Sequence, residues 1–356
     1  MLPIDEILRT PPLPADAGDE IGRSREGRPI HGLRFGRGPW HVSLIGGCHA
    51  DEPIGPWTLR RLARRLAEAD DADPLLAELR WTIVPHANPD GEHRNRSWAG
   101  DDPGTLGTQD LGRGFALEPY LRDRVRELPG DDIEFGFPRD SDDADARPEN
   151  RAVAGFLGRA VADAGSLALH ASLHGMGFAA GPWFLLDRAW NDRTATLRRH
   201  LASRATSLGY VLHDVERQGD KGFHRIERGF CTRPDSKSMQ KHFLDHGNPD
   251  TAALFRPSSM EIARRLDDDC LTLVTEMPLF LVAGAAEQIR PADPVMDRFR
   301  TDVLPRLQLA AAGGGEGPSE RPRAMPIGDQ MRLQLETLAS GIEAVRAHRR
   351  GGMPQS

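Results

Sequence analysis

The stretch that decides the fold of this chain is VSLIGGCHADEPIG, residues 42–55. Its mostly apolar beginning predicts a buried strand, and two glycines end that strand. Pro53 then opens a segment with helical apolar spacing, as proline does at the first helical position. His49 and Glu52 stand three residues apart between strand and helix, so one turn of chain can offer an imidazole nitrogen and a carboxylate oxygen to one ion. The stretch therefore predicts half of a metal site.

Length and composition limit the classes of protein that fit. The chain has 356 residues, of which 38% are apolar, enough for one large domain or two small ones. A net charge of −7 argues against a broad nucleic-acid surface, and no apolar run approaches the roughly 18 residues of a membrane span. Residues 1–20 lack the pattern of a signal peptide, and the three cysteines are few and far apart. We therefore expect a cytoplasmic protein with neither nucleic acid nor membrane as partner.

Strand and helix patterns alternate along the chain. Apolar runs predict strands at 41–46, 79–85, 166–174, 181–186 and 270–276. Helical spacing predicts helices at 53–69, 148–164, 190–208, 258–266 and 293–311. This alternation predicts an α/β fold, a single domain with a mixed, mostly parallel central sheet flanked by helices on both faces.

The two ends of the chain differ from its centre. We expect residues 1–20 to form an N-terminal arm and residues 21–311 the main domain. Residues 312–326, rich in Gly, Pro, Ser and Glu, predict a flexible linker, and residues 327–356 an amphipathic helix and tail. Apolar residues recur along 331–345 at alternating steps of four and three, which forms one narrow seam. We expect the seam to pack on its own domain, and oligomerisation through it is the alternative.

Polar side chains collect at the ends of the predicted strands. His174 ends the third strand and Glu276 the fifth, while His49 and Glu52 follow the first. Ligands of open α/β sheets bind beyond the carboxyl ends of the strands, so these four residues could converge. Two histidines and a carboxylate would make a zinc site with one open water position, and Glu276 could act as general base for that water. His170 is the rival third ligand, but its place inside the strand favours a packing role.

Six short motifs follow one another along the chain: GRSREGRPI at 22–30, GGCHADE at 46–52, NPDG at 88–91, PENRAV at 148–153, SLH at 172–174 and TE at 275–276. In this order and spacing they resemble the zinc metallocarboxypeptidase family of the carboxypeptidase A type. The resemblance covers residues 21–300. It implies one zinc ion per chain, bound by His49, Glu52 and His174, with Glu276 as the general base.

The resemblance also implies roles for residues of the polar region between the second and third strands. Arg94 would polarise the scissile carbonyl and hold the oxyanion, and Arg96 is close enough to compete or to bind substrate. The family pattern Asp-Leu-Asn-Arg-Asn-Phe is similar to DLGRGF at 110–115. By that match Asp110 would orient a zinc-bound histidine, and Arg113 would hold a substrate carboxylate with two hydrogen bonds.

Two departures from the family concern the substrate. Gly112 stands where the pattern has its first asparagine, and no tyrosine lies between 211 and 276. The leading hypothesis is a zinc hydrolase that cleaves a peptide or amide bond, as a carboxypeptidase does. A zinc deacylase of N-acyl amino acids or related small molecules is the alternative, and a catalytically silent binding module on the same fold is a lesser one. We expect residues 211–257, which are loop-like and rich in Arg, His and Phe, to line the specificity pocket.

Overall fold

A mixed sheet of ten strands forms the centre of the described residues. The computed structural model describes residues 2–100, 111–282, 294–312 and 321–351. The strands are β1 Asp19–Arg23, β2 Pro29–Phe35, β3 Trp40–Gly46, β4 Leu79–Val84, β5 Leu169–Ala179, β6 Trp183–Leu186, β7 Arg225–Glu227, β8 Phe230–Thr232, β9 Leu271–Leu281 and β10 Arg323–Ala324. Their order is β1-β2-β4-β3-β5-β9-β6-β8-β7, and β10 pairs with β9. The central strands β4, β3, β5 and β9 are parallel, whereas β2 and β6 flank them in antiparallel pairs.

Helices cover both faces of this sheet. They are α1 Ile4–Arg9, α2 Ile54–Ala67, α3 Pro74–Ala77, α4 Pro89–Ala99, α5 Leu117–Asp123, α6 Pro148–Ala164, α7 Ala195–Ser207, α8 Ser236–Asp245, α9 Pro249–Leu254, α10 Ser259–Leu266, α11 Pro294–Arg298, α12 Leu304–Ala311 and α13 Ile327–Gly351. Leu273 and Thr275 of β9 contact α13, whereas Val274 between them packs with Met260 of α10. Successive side chains of a strand point to opposite faces, so α13 and α10 lie on opposite sides of the sheet. The predicted α/β class, with a mixed sheet between two helical layers, is confirmed.

Two differences from the predicted elements bear on the site. The strands β5 and β9 continue beyond the predicted ends, so His174 and Glu276 lie inside paired strands rather than at their ends. Within the polar region, NPDG begins the helix α4 instead of a loop. Asn88 accepts a hydrogen bond from the Gly91 amide and Pro89 occupies the first helical turn, a combination that starts helices.

Both ends of the described chain pack against the core. Ile7 and Leu8 of α1, within the segment expected as an arm, are buried. The strand β10 pairs with β9 directly before α13 begins. The apolar seam of α13 packs on the sheet and on α2 and α7, with side chains no more than 5% exposed, as predicted for an intramolecular seam. None of the described helices combines the length and the apolar content needed to cross a membrane.

Candidate metal centre

Two close backbone approaches bring the predicted ligands to one place. Gly47 follows β3 with a φ of +66°, and a Cβ there would lie 2.5 Å from the His86 ring. Gly55, in the first turn of α2, lies so near β5 that a Cβ would stand 2.3 Å from the Leu173 carbonyl oxygen. A side chain at either position would force the chain outward. The glycines therefore let the loop between β3 and α2 pass directly beside His174.

The three predicted metal ligands form a buried cluster. His49 Nδ1 lies 2.7 Å from Glu52 Oε1, and His174 Nδ1 lies 2.9 Å from Glu52 Oε2. The two Nδ1 atoms are 3.1 Å apart. Burial raises the pKa of Glu52, but the two histidines outweigh burial and hold that pKa well below its usual range. Glu52 is therefore a carboxylate that faces two imidazole nitrogens.

This donor set fits a zinc ion. Two imidazole nitrogens and one carboxylate oxygen are the protein ligands of many catalytic zinc sites. Bonds of about 2.0–2.1 Å in a tetrahedral site place the ligand atoms about 3.3 Å apart, close to the separations of 2.7 to 3.1 Å between these donors. The structure thus brings His49, Glu52 and His174 together as the sequence predicted, and their function as ligands stays a prediction.

The outer nitrogens of both histidines face groups that orient the rings. His49 Nε2 lies 3.5 Å from Asp132 Oδ1. His174 Nε2 lies 2.7 Å from Ser172 Oγ and 3.2 Å from Glu134 Oε2. Such partners hold each Nδ1 towards the cluster and fix the tautomer of the ring. Neither Asp132 nor Glu134 was predicted from the sequence as part of the site.

The structure describes only part of DLGRGF. Asp110 lies outside the described residues. Arg113 is exposed. Its carbonyl oxygen accepts a hydrogen bond from the Ile327 amide at the start of α13. This helix covers the sheet face opposite the one that carries Val274 and the cavity. Arg113 is therefore not brought to the metal centre.

A second stretch, DIEFGF at 132–137, has the same spacing from aspartate to phenylalanine. Its Asp132 has the position beside His49 that the family pattern assigns to the histidine-orienting aspartate. Phe135 then stands where the pattern has arginine. The repeated spacing was the available signal, but the leucine and arginine of DLGRGF made the first stretch the better sequence match.

Glu276 lies beside the cluster, in the wall of a cavity. It is the direct register partner of His174 on the neighbouring parallel strand. Burial and the nearby charge of Glu52 raise the pKa of Glu276 to about 8. A carboxyl group with a pKa near neutrality is suited to take up and release a proton, so its place fits the predicted general base.

The predicted oxyanion arginines lie elsewhere. Arg94 points outward from α4 and pairs with Glu26, and its side chain is 42% exposed. Arg96 is exposed on the same helix and, like Arg94, does not line the cavity. The loop after α5 brings Arg126 there instead, with NH1 3.0 Å from Asp51 Oδ1 and 3.0 Å from Glu52 Oε1. An arginine does face the centre, but it is Arg126, which the sequence analysis missed.

The cavity beside the centre has a volume of about 340 Å³. Its lining includes His49, Arg126, Asp132, Glu134, His174 and Glu276. It also includes residues of the segment 211–257, among them Arg217, Lys221, Phe223, Arg233, Phe243 and Phe255. The prediction that this segment lines a pocket at the site is confirmed, and its part in specificity stays a prediction.

Comparison with known proteins supports the same family. Residues 18–183 match the family model described as zinc carboxypeptidase. Zinc carboxypeptidase A 1 of Anopheles gambiae is 37% identical over 76 residues, which are 20% of this chain and 18% of that protein. Carboxypeptidase D of Rattus norvegicus is 34% identical over 179 residues, which are 47% of this chain and 11% of that protein. The resemblance found in the motifs is thereby confirmed, although the chain spans less than a fifth of either relative.

The chain is also similar to a solved structure. The carboxypeptidase A of Helicoverpa armigera aligns over 92% of this chain and 68% of its own, with 14% identity and a TM-score of 0.47.

Proposed function

We propose that this chain, whose residues 18–183 carry the zinc carboxypeptidase family match, is a zinc-dependent hydrolase of peptide or amide bonds. One observation carries the proposal. The Nδ1 atoms of His49 and His174 and the carboxylate of Glu52 converge, and Glu276 stands beside them on the adjacent strand in a cavity wall. Three ligands with an open fourth position and a neighbouring carboxylate form the arrangement of a hydrolytic zinc site.

Glu276 and Arg126 have different roles in the proposed hydrolysis. A zinc ion bound here supplies a Lewis acid and lowers the pKa of bound water towards about 7. Glu276 accepts a proton from the attacking water and delivers it to the leaving amine. Its position in the cavity wall, next to His174 on the adjacent strand, suits both transfers. The guanidinium of Arg126 faces the same centre and stabilises the oxyanion that develops on the carbonyl.

Deacylation of N-acyl amino acids is the second candidate, because it needs the same centre and releases the same kind of product. Phe135 stands in the cavity wall where the family pattern places the arginine for a terminal carboxylate. An aromatic ring makes no hydrogen bonds to a carboxylate, so recognition of a terminal carboxylate through this position is lost for both candidates. Both candidates use the same centre and differ only in the group on the carbonyl side of the cleaved bond.

The test replaces Glu276 by Gln in the zinc-loaded chain. We expect kcat to fall by a factor of about 10² to 10⁴, the usual contribution of a general base, with zinc content unchanged at one per chain. Glu68→Gln, at the exposed end of α2, is the matched control and should keep full activity. A panel of N-acylated dipeptides and N-acyl amino acids decides between the two candidates. Wild-type turnover by the Glu276→Gln variant would refute the mechanism.

A further inference from the structure

The side chains of two cations in the cavity wall have no hydrogen-bond or ion-pair partner among the described residues. Neither Arg217 nor Lys221 makes a side-chain hydrogen bond or an ion pair with the described chain, although both are half-buried in the cavity wall. Arg233, in the same wall, is different. Its guanidinium donates to Thr272 Oγ1 at 2.8 Å and lies 3.2 Å from Asp187 Oδ2. Buried charges are normally paired, so unpaired ones in a cavity point to a ligand that supplies the partner.

Aromatic rings surround both cations. The Arg217 guanidinium lies 4.6 Å from the centre of the Phe223 ring and 5.7 Å from that of Trp183. Lys221 Nζ lies 5.5 Å from the centre of the Phe243 ring. Burial is the main reason that the pKa values of both cations are lowered. Ring faces orient a cation but leave its hydrogen-bond donors free, so these donors remain open to an anion.

The acidic groups nearest to the two cations have other roles. Asp220 pairs with His242 Nδ1. Glu276 is the proposed general base and influences Arg217 only through its charge. Arg217 and Lys221 line the same cavity as Glu276, the residue proposed to deliver the proton to the leaving amine.

The loop that presents them has an unusual backbone. In the described residues, the non-glycine residues with positive φ are Gln218 at +51° and Lys221 at +55°. Such conformations are unfavourable for residues other than glycine and cluster at ligand sites. The loop that carries Arg217 and Lys221 therefore has the kind of backbone that is found at binding sites.

We propose that Arg217 and Lys221 bind the carboxylates of the amino acid that is released, which makes an acidic residue the preferred leaving group. This inference rests on the proposed hydrolase function. Two cations match the two carboxylates of aspartate or glutamate. The arrangement also supplies the carboxylate recognition that neither Arg113 nor Phe135 can give in this structure.

The test compares substrates that differ only in one charge. The zinc-loaded chain is assayed on N-acetyl-alanyl-glutamate and N-acetyl-alanyl-glutamine. We expect kcat/KM to be at least tenfold higher for the glutamate substrate, a typical gain from a charge-assisted hydrogen bond. Arg217→Gln or Lys221→Gln should remove this preference, whereas Arg217→Lys, which keeps the charge, should retain part of it. Arg228→Gln, an exposed cation of the same segment, is the control and should leave the ratio unchanged.

Calorimetry gives a readout that does not depend on turnover. N-acetylglutamate should bind the zinc-loaded chain at least tenfold more tightly than N-acetylglutamine, and Arg217→Gln should abolish the difference. If no substrate is cleaved, the proposed function fails while the titration still decides on the carboxylate site. Equal binding of the two compounds would overturn the inference. So would a ratio of kcat/KM between the glutamate and glutamine substrates that stays within threefold of wild type in both Arg217→Gln and Lys221→Gln.

Discussion

Replacing Arg126 by glutamine tests which arginine stabilises the oxyanion. The structure indicates Arg126, whereas the family resemblance implies Arg94. The structure places Arg126 against Glu52, while Arg94 pairs with Glu26 at the surface. We expect Arg126→Gln to lower kcat strongly and Arg94→Gln to leave it within twofold of wild type. Each variant removes one guanidinium and keeps an amide, so the pair forms its own matched control.

The size of the effect follows from the position of Arg126. Two unit charges about 4 Å apart attract by about 4 kcal/mol at the effective dielectric near a protein surface. The Arg126 side chain is 36% exposed, so solvent screens part of this attraction. We therefore expect a loss of about 3 kcal/mol of transition-state stabilisation, as for an oxyanion-hole donor, or about a hundredfold in kcat.

The substitution should leave fold and metal site in place. Asp51 keeps its ion pair with Arg124, and Glu52 keeps the two histidines and the Gly175 amide, 3.1 Å away. Neither Asp51 nor Glu52 is left as a buried carboxylate without a partner, which is the usual cause of a large loss of stability. Zinc content and the urea midpoint of unfolding should therefore stay close to those of wild type.

The assay is single-turnover hydrolysis of a peptide substrate at saturating enzyme, with zinc content measured on the same samples. This reports the chemical step and excludes product release. If Arg126→Gln reacts within threefold of wild type with zinc intact, Arg126 does not stabilise the oxyanion. A large loss in Arg94→Gln alone would restore the assignment made from the family resemblance.

Three further predictions concern stability. Chelation of zinc should lower the melting temperature, because an ion that binds only the folded chain stabilises it. A melting temperature that does not change when chelator is added would contradict a bound metal. Leu335→Ala, at a fully buried position of α13, should cost about 2–5 kcal/mol of unfolding free energy without changing the elution volume in gel filtration; a change in elution volume at unaltered stability would favour oligomerisation through the seam. Burial lowers the pKa of His41 from 6.5 to about 4. Between these pH values His41 is protonated in the unfolded chain but not in the folded one, so the free energy of unfolding falls as the pH drops from 6.5 to 4. His41→Gln should make that fall shallower by up to about 3 kcal/mol in urea titrations, and equal slopes for both proteins would refute this.

The position of the metal centre followed from sequence because its chemistry is local. His49 and Glu52 lie three residues apart after a strand, and glycines flank them. This local pattern was enough to predict that the two residues are metal ligands. His174 and Glu276 followed from strand order, since parallel neighbours bring equivalent strand positions together, and the structure pairs these two residues in register. The strand ends were placed too early because the polar residues of a metal site interrupt the apolar pattern on which strand prediction depends.

The residues around the ligands were decided only by tertiary structure. Arg126 and Asp132 reach the centre from loops, where neither strand nor helix periodicity constrains a side chain. Arg113 and Asp110 resembled the family pattern more closely, yet the chain path carries Arg113 to the start of α13. The sequence by itself therefore determined the α/β class and predicted the cluster of His49, Glu52 and His174, because local spacing and strand order were enough to bring these residues together. Only the packing of long loops against the sheet decided which arginines face the cavity, because that choice depends on contacts between residues far apart in the chain.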